Sequence, residues 1–159
     1  VPNPMILKEC SKVMSLTDGT KKMSKSDPNE NSRITLLDSA DLINKKIKRA
    51  KTDSDLGLEF SNPLRPEADN LLTIYSIISG LGREKAAEYC KEMGWGKFKP
   101  EFTEAMINVL KPIQDKYNEL MNDQGELNRV LNKGKTTAEE VSQLTLKRVK
   151  KALGFYSTI

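Results

Sequence analysis

The hydrophobic pattern divides the chain at about residue 35. From Asp38 onward the apolar positions recur at helical spacing. Asp38 or Ser39 can cap a helix running to about Ala50, with Leu42, Ile43, Ile47 and Ala50 on its buried side. Pro66 suits a first helical position, and Leu71, Leu72, Ile74, Tyr75, Ile77 and Ile78 follow it up to Gly80 and Gly82. Arg83 to Met93 reads as a shorter helix, and Gly94-Trp95-Gly96 as a turn. The strongest stripe comes next: Phe102, Ala105, Met106, Val109, Leu110, Ile113, Tyr117, Leu120 and Met121 step by three and four. Pro112 lies inside that stripe and removes a backbone bond to Asn108, which predicts a kink. Glu126 to Asn132 predicts a short helix ended by Gly134. Thr136 with Glu139 forms a capping box for a last helix to about Leu153, with Val141, Leu144, Val149 and Ala152 inward.

Residues 1–35 lack that period. Val13-Met14-Ser15-Leu16 is a short apolar run, read as the end of a buried strand. Thr17-Asp18-Gly19-Thr20 is a turn signature. The polar, basic stretch Lys21 to Asn29 is a loop, and Ile34, Leu36 and Leu37 restore apolar contact after it. The organisation expected is a mainly helical unit over residues 36–159, preceded by a different element over residues 1–35.

Composition narrows the chemistry. The 159 residues include no histidine, which excludes a Ser-His-Asp triad, a Cys-His dyad, His-ligated zinc and an imidazole shuttle. Two cysteines, Cys10 and Cys90, stand far apart and cannot supply a zinc site. They are read as two reduced thiols. Charged residues make up 30% and the net charge is +4, compatible with nucleic acid and short of proving it. No stretch approaches the roughly 18 consecutive apolar residues of a membrane helix. The chain begins with Val1 rather than Met, so it reads as a processed product or a piece of something longer.

The candidate chemistry is Lys22-Met23-Ser24-Lys25-Ser26. Two lysines three residues apart, flanked by hydroxyls on a loop, suit a polyphosphate. Each ammonium is a compact, rotatable charge with three donors, and serine hydroxyls with loop N–H groups add further donors. Such a loop can hold charge as it moves onto a leaving pyrophosphate.

That string resembles the second signature motif of class I aminoacyl-tRNA synthetases. The stretch Ser15 to Asn29 is similar to the bacterial and organellar tryptophanyl enzymes in particular, as are Ile34 to Asp38, Lys45-Lys46-Ile47, Thr52-Asp53-Ser54, Asn70 to Tyr75 and Lys111 to Gln114. The resemblance implies ATP-dependent activation of tryptophan, with release of pyrophosphate and transfer to tRNA(Trp). It implies Lys22 and Lys25 as catalytic, stabilising the phosphates, and Met23, Ser24 and Ser26 as the rest of the ATP-binding loop. Val13 matches the position where the family's backbone meets adenine. Magnesium accompanies ATP, and the family works as a homodimer. Its fold would be the last strand and lysine loop of a Rossmann-like catalytic domain (1–35) followed by the helical, anticodon-reading domain (36–159). The family's His-containing first motif is absent, so the chain is expected to be the C-terminal part of a longer ligase, inactive alone. The compartment would be a bacterial cytoplasm, a mitochondrion or a plastid.

Two other readings compete: an autonomous helical tRNA- or protein-binding module without catalysis, and a nucleotidyltransferase using the same loop for another acyl-adenylate. Lys45, Lys46, Lys48, Arg49 and Lys51 put five cations in seven residues, at a solvated helix end or against tRNA phosphates. Lys147, Arg148, Lys150 and Lys151 read as a solvated face. Trp95, Phe98 and Arg129 are available to stack or bond bases, with a packing role expected for Trp95. Asp53 reads as a helix stop or a tRNA contact.

Overall fold

A computed structural model describes residues 2–5 and 11–155. Five α-helices follow in order: α1 (Ala40–Arg49), α2 (Pro66–Ile78), α3 (Gly82–Cys90), α4 (Trp95–Asn122) and α5 (Gln124–Ala152). The expected mainly helical fold is the one observed. The chain forms two compact units, residues 1–114 and residues 115–159. Cys10 lies outside the described residues. Cys90 is free and buried, and burial first of all pushes its thiol up to about 11, so it packs as an inert hydrophobe.

In the first unit, local signals set the helix starts. Ser39 caps α1 by accepting a hydrogen bond from the Leu42 N–H, and Pro66 opens α2. Helix α4 starts at Trp95, earlier than the turn read at Gly94–Gly96, because the Gly94 carbonyl accepts from both Lys97 and Phe98 N–H groups. The buried Phe98 ring then joins Phe102 and Tyr75. Phe98 and Phe102 stack with centroids 5.7 Å apart, and Tyr75 meets Phe98 edge-on at 5.3 Å. Such pairs add about 0.5–1.5 kcal/mol beyond their buried area. Leu16, Ile43, Ile47, Leu71 and Leu72 complete the core around them. Helix α4 continues through Pro112, which removes one backbone bond without ending the helix.

An ion pair is buried in this unit. Lys46 donates to Asp38, with side chains only 4% and 7% exposed, and Thr35 donates to the same carboxylate. Burial pushes the Asp38 carboxyl up, but the bonds from Lys46 and Thr35 outweigh it and the net shift is downward. Gln114 donates to the carbonyls of Leu36 and Asp38, tying α4 to the approach of α1.

Three expectations are corrected. The segment expected to end a strand forms a single antiparallel bridge, Met14 to Lys22, and no strand occurs among the described residues. A strand needs a ladder of partners, and here one short return supplies one rung. Second, α5 is continuous through Gly134, with no break and no cap at Thr136. An interior glycine costs only about 1 kcal/mol relative to alanine, and Lys135 pairs with Glu139 one turn on. The observed cap is Asp123, which accepts from the Glu126 N–H. Third, the positions expected inward on α5 are exposed: Val141 is 66% and Leu144 69% exposed, and Val149 and Ala152 are also open. The α4 stripe is buried at Phe102, Met106 and Leu110, while Val109, Ile113, Tyr117 and Met121 are exposed.

Replacing Lys46 by Met leaves Asp38 buried without its cation. The expected loss at pH 7 is about 3 kcal/mol. Because the folded Asp38 value is lowered, the pair's contribution is present above the unfolded value of about 3.9 and is lost as pH falls below it. Urea denaturation should therefore show the deficit shrinking below about pH 4. An equal deficit at both pH values would show that charge pairing is not its source.

Candidate functional site

The lysine loop is anchored at its base and open at its tip. The Met23 N–H donates to the Val13 carbonyl at 3.0 Å, and the Ser15 N–H to the Lys21 carbonyl at 2.8 Å. The Leu16 N–H donates to the Ser32 carbonyl at 2.9 Å, closing the loop where the chain returns through a short 3-10 turn, Glu30–Ser32. The Leu16 carbonyl accepts from the Lys51 N–H beyond α1. Met23 is half-buried against the core. Lys22, Ser24, Lys25 and Ser26 are exposed, and Val13 is half-buried at the loop's base.

The turn preceding the loop is rigid for identifiable reasons. Asp18 accepts from both the Thr20 hydroxyl at 2.6 Å and the Thr20 N–H at 3.1 Å, and Lys21 lies 3.2 Å from its other oxygen. The bonds from Thr20, then Lys21, bring its carboxyl down to about 2. Gly19 sits against the first turn of α2, where an added Cβ would stand 2.6 Å from the Glu67 nitrogen and 2.7 Å from the Pro66 carbonyl carbon. Space, rather than backbone conformation, requires glycine there. The Gly19 N–H points to Glu67, whose carboxylate is also held by Lys51 at 2.7 Å.

The tip is organised by side chains that replace backbone ladders. The Ser24 hydroxyl accepts from the Ser26 N–H and lies 3.0 Å from the Ser26 hydroxyl. Asp27 and Asn29 each accept from the N–H two residues on, and Arg33 donates to the Asp27 carbonyl. Neither Lys22 nor Lys25 has an ion-pair partner among the described residues. Among the described residues nothing neutralises their charge, and both ammonium groups are exposed.

The other candidates separate into structural and open groups. Lys46 is committed to Asp38 and Lys51 to Glu67, which leaves Lys45, Lys48 and Arg49 exposed on α1. Asp53 is a junction: Arg65 binds it through Nε at 2.8 Å and Nη2 at 2.9 Å, and the Trp95 indole N–H donates to it at 3.1 Å. The Arg65 bond is the main cause of its carboxyl falling to about 2. Trp95 packs edge-on against Phe98, as a packing role requires, and fully buried Phe98 is closed to any base. Arg129 is paired with Glu126. Lys147, Arg148, Lys150 and Lys151 are exposed on α5. Sequence reasoning missed Asn70, whose side chain bonds the Met14 backbone, and Lys99, which donates to the carbonyls of Lys48 and Ala50 at the end of α1. Orphan carbonyls at a helix end are a general signal for Lys99; nothing local marks Asn70.

A lysine loop pinned to a helical body by its flanks is the arrangement against which known proteins can be compared. A family model described as tRNA synthetases class I (W and Y) matches residues 1–111, and the chain belongs to that family. Among individual relatives, it is 63% identical over 155 residues to the tryptophan--tRNA ligase of Prochlorococcus marinus (strain MIT 9313), covering 98% of this chain and 46% of the relative. It is 50% identical over 156 residues to the chloroplastic/mitochondrial tryptophan--tRNA ligase of Arabidopsis thaliana, covering 98% of this chain and 38% of that protein. The solved tryptophanyl-tRNA synthetase from Mycoplasma pneumoniae superposes with a TM-score of 0.73 at 31% identity, over 95% of this chain and 47% of that one. The chain thus spans about half the length of the curated relatives it matches.

Gly19→Ala is expected to push the turn off α2 and cost about 1–3 kcal/mol. A urea midpoint unchanged from the parent would mean that the contact with Pro66 and Glu67 does not hold the turn.

Proposed function

We propose that the chain is the C-terminal part of a tryptophan--tRNA ligase. In this reading residues 1–35 close the nucleotide-binding catalytic domain, and residues 36–159 form the helical domain that faces tRNA(Trp). The observation that carries it is identity of 63% running along 98% of the chain, including the lysine loop, to a relative of that name. The whole protein would activate tryptophan with ATP, release pyrophosphate and pass the amino acid to tRNA. It would act as a homodimer, as the family resemblance implies, and a bacterial or organellar compartment fits the range of relatives.

Lys22 and Lys25 are the groups assigned to the phosphates. Both are exposed and without an ion-pair partner among the described residues, so neither must break an ion pair with those residues to reach an anion. As the bond between the α- and β-phosphates opens, negative charge collects on the departing pyrophosphate, and two ammonium groups on one loop stabilise that charge most where it is greatest. The Ser24 and Ser26 hydroxyls add hydrogen bonds, Met23 completes the loop with its N–H committed to the Val13 carbonyl, and Val13 lies at the base where adenine would rest. The described residues hold no group of three or more acidic or cysteine side chains fit to cage a metal. Magnesium would arrive on the nucleotide's own phosphates.

The test is tryptophan-dependent ATP–pyrophosphate exchange by the full-length protein. Lys22→Ala and Lys25→Ala should each lower kcat by roughly a hundredfold while changing tryptophan affinity little, as expected of groups acting in the transition state. Exchange that requires another acid, or none at all in the parent, would overturn the assignment and favour another adenylate former or a binding module.

A further inference from the structure

The bridge between Met14 and Lys22 has a directional consequence. In this antiparallel pair the flanking residues make the bonds, Ser15 to Lys21 and Met23 to Val13. The N–H and C=O of Met14 itself therefore point to the opposite edge, where a sheet would place its next strand. No strand lies there among the described residues. Asn70 does: its Oδ1 accepts the Met14 N–H at 2.9 Å, and its Nδ2 donates to the Met14 carbonyl at 2.9 Å. The two ends of a primary amide thus reproduce what a neighbouring peptide would offer. The amide orientation is fixed by the network, since only one assignment satisfies both a donor and an acceptor.

We propose that Asn70 is a positioning residue for the lysine loop, setting the backbone register of Met14 and, across the bridge, of Lys22 and Met23. It rests on the assignment of Lys22 and Lys25 to ATP. Asn70 is only 5% exposed, so its amide has no water to fall back on and the bracket is a single, high-stakes contact. It acts across 56 residues of sequence, from the middle of α2. One turn earlier on the same face of α2, Glu67 and the backbone at Pro66 seat Gly19. The loop's entry is thereby fixed at two points, Met14 and Gly19, to one face of one helix. Among the described residues no ion pair holds the lysine ammonium groups, so their placement depends on this backbone register.

The experiment is tryptophan-dependent ATP–pyrophosphate exchange by the full-length protein carrying Asn70→Asp or Asn70→Leu, with Lys22→Ala in parallel. Hydrogen exchange by mass spectrometry follows the 13–23 backbone in the same preparations. Aspartate keeps the acceptor for the Met14 N–H, loses the donor and sets a carboxylate against the Met14 carbonyl; leucine removes both bonds. Both variants should lower kcat by roughly tenfold or more, because small misplacement of reacting groups is costly. KM for tryptophan should stay within about twofold, and exchange should accelerate across 13–23 while peptides around Phe102 keep their protection. A parental kcat for Asn70→Asp, in a protein that Lys22→Ala impairs, overturns the inference and leaves the loop assignment standing. A general loss of protection across the chain, with kcat falling only in proportion to the folded fraction, also overturns it by reducing Asn70 to a stability role. An unimpaired Lys22→Ala overturns the loop assignment itself.

Discussion

Everything at the loop depends on satisfying the backbone of residues 13–16, a strand-like segment without a sheet. Its hydrogen-bonding groups reach four separate places. The loop's return takes Val13 and Ser15, Asn70 takes both groups of Met14, and Ser32 and Lys51 take the N–H and carbonyl of Leu16. Buried backbone groups cost free energy when unpaired, so each of these partners is held in place by the need of the others. Leu16 adds the apolar half of the constraint, since its side chain belongs to the aromatic core that α2 and α4 build. Beyond this frame, from Ser24 to Asn31, the loop is held by its own side chains and by Arg33 rather than by the core.

The same economy sorts the cations. Lys46, Lys51, Arg65 and Lys99 are each consumed by the fold, on Asp38, on Glu67, on Asp53 and on the last carbonyls of α1. Lys99 shows the cost of this use, because burial lowers its ammonium from the ordinary lysine value. Lys22 and Lys25 take part in no such arrangement among the described residues. In the basic run from Lys45 to Lys51, sequence counts five equivalent positive charges, and the fold leaves Lys45, Lys48 and Arg49 to solvent. Charge counting along a basic run overestimates what is available to a ligand whenever acidic partners lie outside the run, as Asp38 and Glu67 do.

How much was legible follows from where the partners sit. Helices α1 to α3 could be read because their signals are local: Ser39 as cap, Pro66 at the first position, apolar residues three and four apart. The loop could be read because its chemistry is compressed into five adjacent residues. The continuity of α5 through Gly134 could not, since a glycine's cost of about 1 kcal/mol is small against a run of good helix formers with i,i+4 pairs. The faces of α5 and of late α4 could not be assigned either. An apolar period says that a face wants cover, and among the described residues nothing covers Val141 or Leu144. Asp53 and Asn70 were the least legible, because each draws its meaning from residues 12 to 56 positions away.

Met23 explains why an apolar residue stands between two lysines. The segment is extended at the bridge, so neighbouring side chains point to opposite faces. Met23 turns inward and packs against the core, which obliges Lys22 to turn outward. The alternative way to hold an ammonium at a chosen place is an ion pair, as at Lys46, but that neutralises the charge. An apolar anchor holds position without touching charge. Its flexible thioether also tolerates small movements of the loop better than a branched side chain would. On the proposed assignment, placement of Lys22 falls to groups with no charge of their own, the Met23 side chain on one side and the Asn70 amide on the other, and the ammonium is left exposed.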